Sequence, residues 1–154
     1  MNKSCWWIGR LIVLKANSLP TTIHSSLYNL NNLSYIGFER IRNFDSILVL
    51  GVAGGSVVKT LAEEVKYKGR IKGVEIDPEA IAIANTYFGL DKIPNLEIII
   101  DDAFEFVLKT KEKYDLIIID IFKDATMPNF LFEDFFINRI NFLLNVNGFI
   151  LFNT

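Results

Sequence analysis

From residue 46 onward, short apolar runs alternate with amphipathic stretches, and the period of each predicts its element. "SILVLG" reads as a buried strand, and "SVVKTLAEEVKYKG" as a helix ending at Gly69. "RIKGVEI" is a second strand. "DPEAIAIANTYFG" opens on an N-cap, Asp77, with Pro78 and Glu79 in its first turn, and closes at Gly89. "NLEIII" gives a third strand, "DAFEFVLKTKEK" a helix, and "YDLIIID" a fourth strand apolar enough to be covered on both faces. In "NFLFEDFFINRINFLLN", Leu131, Phe132, Phe135, Phe136, Ile140, Leu143 and Leu144 recur at three- and four-residue spacings, which predicts a helix with a broad buried stripe. Asn145 to Gly148 then turn the chain into "FILFNT", a fifth strand.

Five β units separated by four helices call for an α/β fold: a Rossmann-like, doubly wound parallel sheet with helices on both faces. Residues 46–154 form this Rossmann-like domain. Residues 1–45 break the alternation and read as a short N-terminal extension, with a hairpin over 6–14 and a helix or loop over 26–43.

Composition narrows the classes. Hydrophobic residues make up 51% of the 154, thirteen of them Phe, enough for one sizeable core. The net charge of -2 weighs against a nucleic-acid surface, which needs clustered excess Lys and Arg. One Cys (Cys5) and one His (His24) rule out an internal disulfide and a Cys/His zinc site, so no metal is expected and a cytoplasmic setting fits best. At the start, Lys3 precedes an apolar stretch, but Arg10 and Lys15 interrupt it, so a packed strand or hairpin is expected instead of a leader. Nothing approaches the ~18 uninterrupted apolar residues of a membrane span.

In an open parallel sheet, ligands bind beyond the carboxyl ends of the strands, where the strand order reverses. The first strand ends in Gly51 and a loop with Gly54 and Gly55. The second ends in Glu75 and Asp77, the third in Asp101 and Asp102, and the fourth in Asp120. A dinucleotide fingerprint starting at Gly51 needs glycines where Ala53 and Ser56 stand, and no lysine follows Gly55, so phosphate cradling is disfavoured. A glycine turn that merely lets strand and helix pack closely remains open. Glu75, 24 positions after Gly51 at the tip of the next strand, can accept the hydroxyls of a ribose. Asp102 is an N-cap for the following helix, and with a neighbouring N–H it can also read the edge of an adenine. Asp120 terminates a buried strand, where an unpaired carboxylate is costly and more often functional than a loop acid.

"ILVLGVAGGSVVKTL", "GVEIDPEAIAIA", "DDAFEFV" and "YDLIIIDIF" resemble the class I S-adenosylmethionine-dependent methyltransferase fold, in its spermidine synthase-like branch, over roughly residues 44–154. The resemblance implies that Glu75, with Ile76 beside it, holds the ribose end of S-adenosylmethionine or decarboxylated S-adenosylmethionine. It implies that Asp102 and Ala103 hold the adenine, and that Gly51, Gly54 and Gly55 pass beneath the methionine-derived chain. Asp120 would take the proton of an attacking amine, and the branch's pattern adds a second acid three positions on; here "DIFKD" offers Asp124 four positions on. Synthases of this branch carry an acid at the position of Gly54. A glycine there removes a repulsion of about 1–4 kcal/mol toward a cofactor carboxylate.

That position puts methyl transfer from intact S-adenosylmethionine ahead of aminopropyl transfer to a polyamine. The other readings are a non-catalytic cofactor-binding module and a nicotinamide-dependent oxidoreductase, the latter weakened by Ala53 and Ser56. The acceptor is a small molecule, with a polyamine as the candidate. Domains of this type continue past strand five with a helix and a hairpin. The sequence closes at Thr154, so the expectation is either a partial, C-terminally truncated domain or a reduced one completed by a partner, its last strand open to association with a second copy.

Overall fold

Within "ILVL", Ile47 and Val49 project to one side of the central strand and Leu48 and Leu50 to the other, and all four are fully buried. Such a run is stable only with cover on both faces. The computed structural model describes residues 11–15, 36–122 and 127–153. It contains β1 (Leu11–Lys15), α1 (Phe38–Arg42), β2 (Ser46–Leu50), α2 (Ser56–Lys59), β3 (Arg70–Glu75) and α3 (Pro78–Phe88). β4 (Leu96–Ile100), α4 (Ala103–Lys109), β5 (Tyr114–Ile119), α5 (Asp134–Phe142) and β6 (Leu144–Asn153) follow.

One six-stranded sheet has the order β1-β6-β5-β2-β3-β4. β2 to β6 run parallel, and β1 pairs antiparallel with β6. This is the expected Rossmann-like arrangement, reversing its strand order at β2. Ile41 of α1, Val57 and Val58 of α2, and Ile81 and Ala84 of α3 cover one face. Val107 of α4 with Phe136 and Ile140 of α5 cover the other. There Phe104, Phe130 and Phe136 pack ring against ring, with centroids 5.1–6.1 Å apart.

Several expectations are corrected. The edge beside the last parallel strand is not open, because β1 covers it in register, Leu11 opposite Asn153 and Lys15 opposite Phe149. The other arm of the expected 6–14 hairpin lies outside the described residues, and of the 26–43 segment Phe38–Arg42 is helical. α2 does not reach Gly69: it widens into a π turn over Thr60–Glu64 and stops where Lys66 takes a left-handed φ of 61°. The 129–145 helix is two pieces, a 3-10 turn over Asn129–Phe132 and then α5. The break rotates the pattern, so Leu131, Phe136, Ile140, Leu143 and Leu144 are buried while Phe132 and Phe135 face solvent. β6 starts at Leu144, upstream of the predicted turn, with Asn147 at a left-handed φ of 64°. Among the described residues, no helix is long and apolar enough to cross a membrane.

Phe136 joins α5 to both ring partners and is fully buried. Phe136→Ala is expected to cost about 3–5 kcal/mol. Urea unfolding should show this as a lower midpoint at an unchanged slope.

Candidate functional site

The loop after β2 winds through three left-handed residues, Gly51 (φ 86°), Ala53 (φ 45°) and Gly55 (φ 80°). An alternating loop of this kind turns successive backbone N–H groups toward one point and makes a small anion-binding concavity. That concavity is already filled from within. Glu75, at the tip of β3 and buried to 9% exposure, accepts from Val52 N–H at 3.0 Å and Ala53 N–H at 2.8 Å through Oε2. Its Oε1 accepts from Asp77 N–H at 3.0 Å. A carboxylate has about four acceptor positions, and three of these are committed to backbone. Glu75 therefore fixes the loop, holds Ala53 in a conformation that costs a non-glycine residue about 1–2 kcal/mol, and has one acceptor position uncommitted among the described residues. A pyrophosphate would have to compete with this carboxylate for the same N–H groups.

The three loop glycines have different reasons. A Cβ on Gly51 would run into the backbone carbonyl of Asp120, and one on Gly55 would lie 2.6 Å from Leu90 Cδ1. Both are demanded by the fold, which answers the close-packing reading for those two. Gly54 has no left-handed φ, and its Cβ would meet nothing nearer than Phe88 Cε2 at 3.8 Å. Its smallness serves open space.

Next to β3, Asp101 N–H donates to the Glu75 carbonyl, tying the two strand ends together. Asp102 caps α4 through Oδ1, accepting from Phe104 N–H at 2.8 Å and Glu105 N–H at 3.2 Å. Its Oδ2 and the Ala103 N–H, an orphan donor of the first helical turn, take no hydrogen bond among the described residues. They form an adjacent acceptor and donor of the kind that suits a heterocycle edge. Ile76 and Ile100, both strongly exposed for apolar residues, flank the same rim and offer apolar faces to a flat ring.

On the other side of β2, Asp120 N–H donates to Leu50 carbonyl at 2.8 Å, which seats Asp120 directly against the glycine loop. Burial raises its carboxyl pKa above the ordinary range, and a hydrogen bond from Asn153 pulls it back in part. That bond runs from Asn153 Nδ2 to Asp120 Oδ1 at 2.7 Å. Asn153 carries one signal in the sequence, a polar residue closing the apolar run "FILF", which does not by itself mark a site. Asp124 lies outside the described residues. Gly51, Gly54, Gly55, Glu75, Ile76, Asp102, Ala103 and Asp120 are all at the carboxyl ends of neighbouring strands, as expected.

A family model described as the spermine/spermidine synthase domain matches residues 30–154. A polyamine aminopropyltransferase of Vibrio vulnificus is 32% identical over 113 residues, covering 71% of this chain and 38% of that protein. The chain spans about two fifths or less of the length of the curated relatives it matches first. A probable spermidine synthase from Corynebacterium glutamicum superposes with a TM-score of 0.64 at 23% identity, over 74% of this chain and 41% of that one. Human methyltransferase-like protein 13, solved with SAH, superposes at 0.61 and 23% identity, over 70% and 54%. These two likenesses bear on the fold.

Glu75→Gln would turn an amide NH2 or a neutral oxygen toward two or three N–H donors. We expect a loss of about 3 kcal/mol, measured by thermal and urea unfolding without any ligand. The glycines separate in the same assay. Gly51→Ala is expected to cost about 3 kcal/mol or more through strain and overlap, whereas Gly54→Ala should stay within about 0.5 kcal/mol of the parent.

Proposed function

The chain belongs to the spermine/spermidine synthase family, and on that premise we propose that it transfers an aminopropyl group from decarboxylated S-adenosylmethionine to an amine of a polyamine. The observation carrying this is Asp120: a half-buried carboxylate, raised in pKa, beside the glycine loop at the strand-order reversal. An aliphatic amine with a pKa near 10 arrives as ammonium and must lose a proton before its nitrogen has a lone pair to attack with. A carboxylate raised by burial is a better acceptor for that proton than a solvated one. The resemblance that named Asp120 and Asp124 offers a second acid, and Asp124 is proposed as the secondary partner.

The nucleoside end fits what the residues leave open. Asp102 Oδ2 and the Ala103 N–H would read the adenine edge, Ile76 and Ile100 would face its ring, and the spare acceptor position of Glu75 would take a ribose hydroxyl. Gly51, Gly54 and Gly55 would underlie the tail. A bound sulfonium donor supplies a carbon activated for in-line displacement, the new C–N bond forming as the C–S bond breaks and its pair stays on sulfur. The protein's share is to hold the amine in line, exclude water and store one proton on Asp120.

The family model and the aminopropyltransferase relatives support this reading better than the methyl-first expectation drawn from Gly54. Gly54 remains the one observation favouring methyl transfer, since the open space there carries no acid. Titration calorimetry with both donors separates them. Tighter binding of the decarboxylated form is expected, and tighter binding of the intact form would overturn the proposal.

Asp120→Asn is expected to lower kcat by about 10²–10⁴-fold in an assay with decarboxylated donor and putrescine. Activity in the parent should fall toward acid along a limb set by Asp120, above the ordinary carboxylate range. The stability sign is opposite. Folding raises this pKa, so its contribution is present at low pH and is lost as pH rises through the folded value. Asp120→Asn should therefore melt no lower than the parent at neutral pH, and a marked destabilisation would contradict the assignment.

A further inference from the structure

Polar groups buried elsewhere among the described residues have structural partners. Lys72 is held by Glu112 at 2.6 Å and Glu97 at 3.3 Å. Arg139 donates to the carbonyls of Val107, Leu108 and Thr110, closing the end of α4. Asn153 differs. It is 9% exposed, in a strand flanked on both sides, and its Oδ1 is buried with no hydrogen-bond partner among the described residues. An orphaned buried carbonyl oxygen is a standing penalty on the fold. A leucine of similar size would remove it and extend the apolar run of β6.

The other half of the amide shows what is gained. β5 and β6 are paired in parallel with Ile119 opposite Phe152, so the next residues along, Asp120 and Asn153, are lateral neighbours. Nδ2 reaches Oδ1 of Asp120, and the reverse orientation of the amide would face two acceptors. Oδ2 of Asp120 takes no hydrogen bond among the described residues. We propose that Asn153 is a positioning residue for Asp120, tying down Oδ1 so that Oδ2 is the oxygen presented to the acceptor's proton. This rests on the reading of Asp120 as the base. The step is a plain transfer: the amine N–H bond breaks, its pair stays on nitrogen, and the proton joins Oδ2 while Asn153 keeps its bond to Oδ1.

The surroundings make this pairing readable. On the β2 side Asp120 meets Leu50 and Gly51, neither charged, and on the β6 side it meets Asn153. Among the described residues, burial and the Asn153 amide are the influences on its titration, and Glu75, Asp101 and Asp102 across β2 are not among them.

The test is a ¹³C NMR titration of the Asp120 carboxyl in the full 154-residue chain without substrates, assigned by comparison with Asp120→Asn, alongside thermal melts. Asn153→Leu is expected to move the Asp120 midpoint up by about one pH unit with a melting temperature equal to or above the parent's. Asn153→Gln, which retains an amide donor, should keep the parent midpoint. With decarboxylated donor and putrescine, the acid limb of kcat in Asn153→Leu should rise with the midpoint, while KM for the donor holds. An unmoved midpoint in Asn153→Leu, an equal rise in Asn153→Gln, or loss of folding in Asn153→Leu would each overturn the proposal. If no polyamine yields product but the midpoint still moves, the pairing stands and the aminopropyl reading falls.

Discussion

The carboxylate of Glu75 lying in the N–H concavity of Val52 and Ala53 is the contact on which the rim of the sheet depends. It joins the tip of β3 to the loop of β2, and the Glu75 backbone carbonyl extends the join to Asp101 beyond β4. Three strand ends are thereby locked at one height. Charge-assisted hydrogen bonds of this type are about twice as strong as neutral ones, which lets the loop keep Ala53 in a left-handed conformation without a glycine. The same carboxylate takes the N–H groups that a glycine-rich loop after a first central strand would otherwise offer to a phosphate.

Much of this was legible in the chain because buried parallel strands leave a coarse signature. "ILVL", "IKGVE" and "LIII" could be little else between amphipathic stretches, and the order of their terminal residues foretold the rim. Helix ends were less legible. Lys66 stops α2 by adopting a conformation that its residue type does not advertise, and α5 begins only after a 3-10 turn that no proline or glycine inside the segment announces. β1 was legible as an apolar run, but its place in the sheet was not. Its partner is the last strand, and an antiparallel pairing across the whole chain leaves no local pattern to read.

The site was legible in its members and illegible in their division of labour. Glu75 was read as a ribose acceptor, yet most of its capacity serves backbone. Asp102 turned out to split its two oxygens, one for the helix and one outward. Gly51, Gly54 and Gly55 looked alike as letters, and what separates them is which atoms a methyl group would meet, a property of the assembled neighbours. Asn153 was invisible because an asparagine at a strand end has many ordinary explanations, and what sets it apart is a buried oxygen with no partner among the described residues.

The pairing of residue 11 with residue 153 carries a temporal consequence. It spans nearly the whole sequence, so its loop-closure entropy must be met before any of its contacts reward it, and such long-range pairings slow folding. The β2–β3–β4 half closes over short crossovers and is expected to form first. β1 is then the final strand to be laid down, beside the strand that carries Asn153. Pulse-labelled exchange showing β1 amides protected ahead of those of β2 and β3 would refute that order. The β2–β3–β4 side of the rim would thus be assembled before the outer edge of the strand that carries Asn153 is covered.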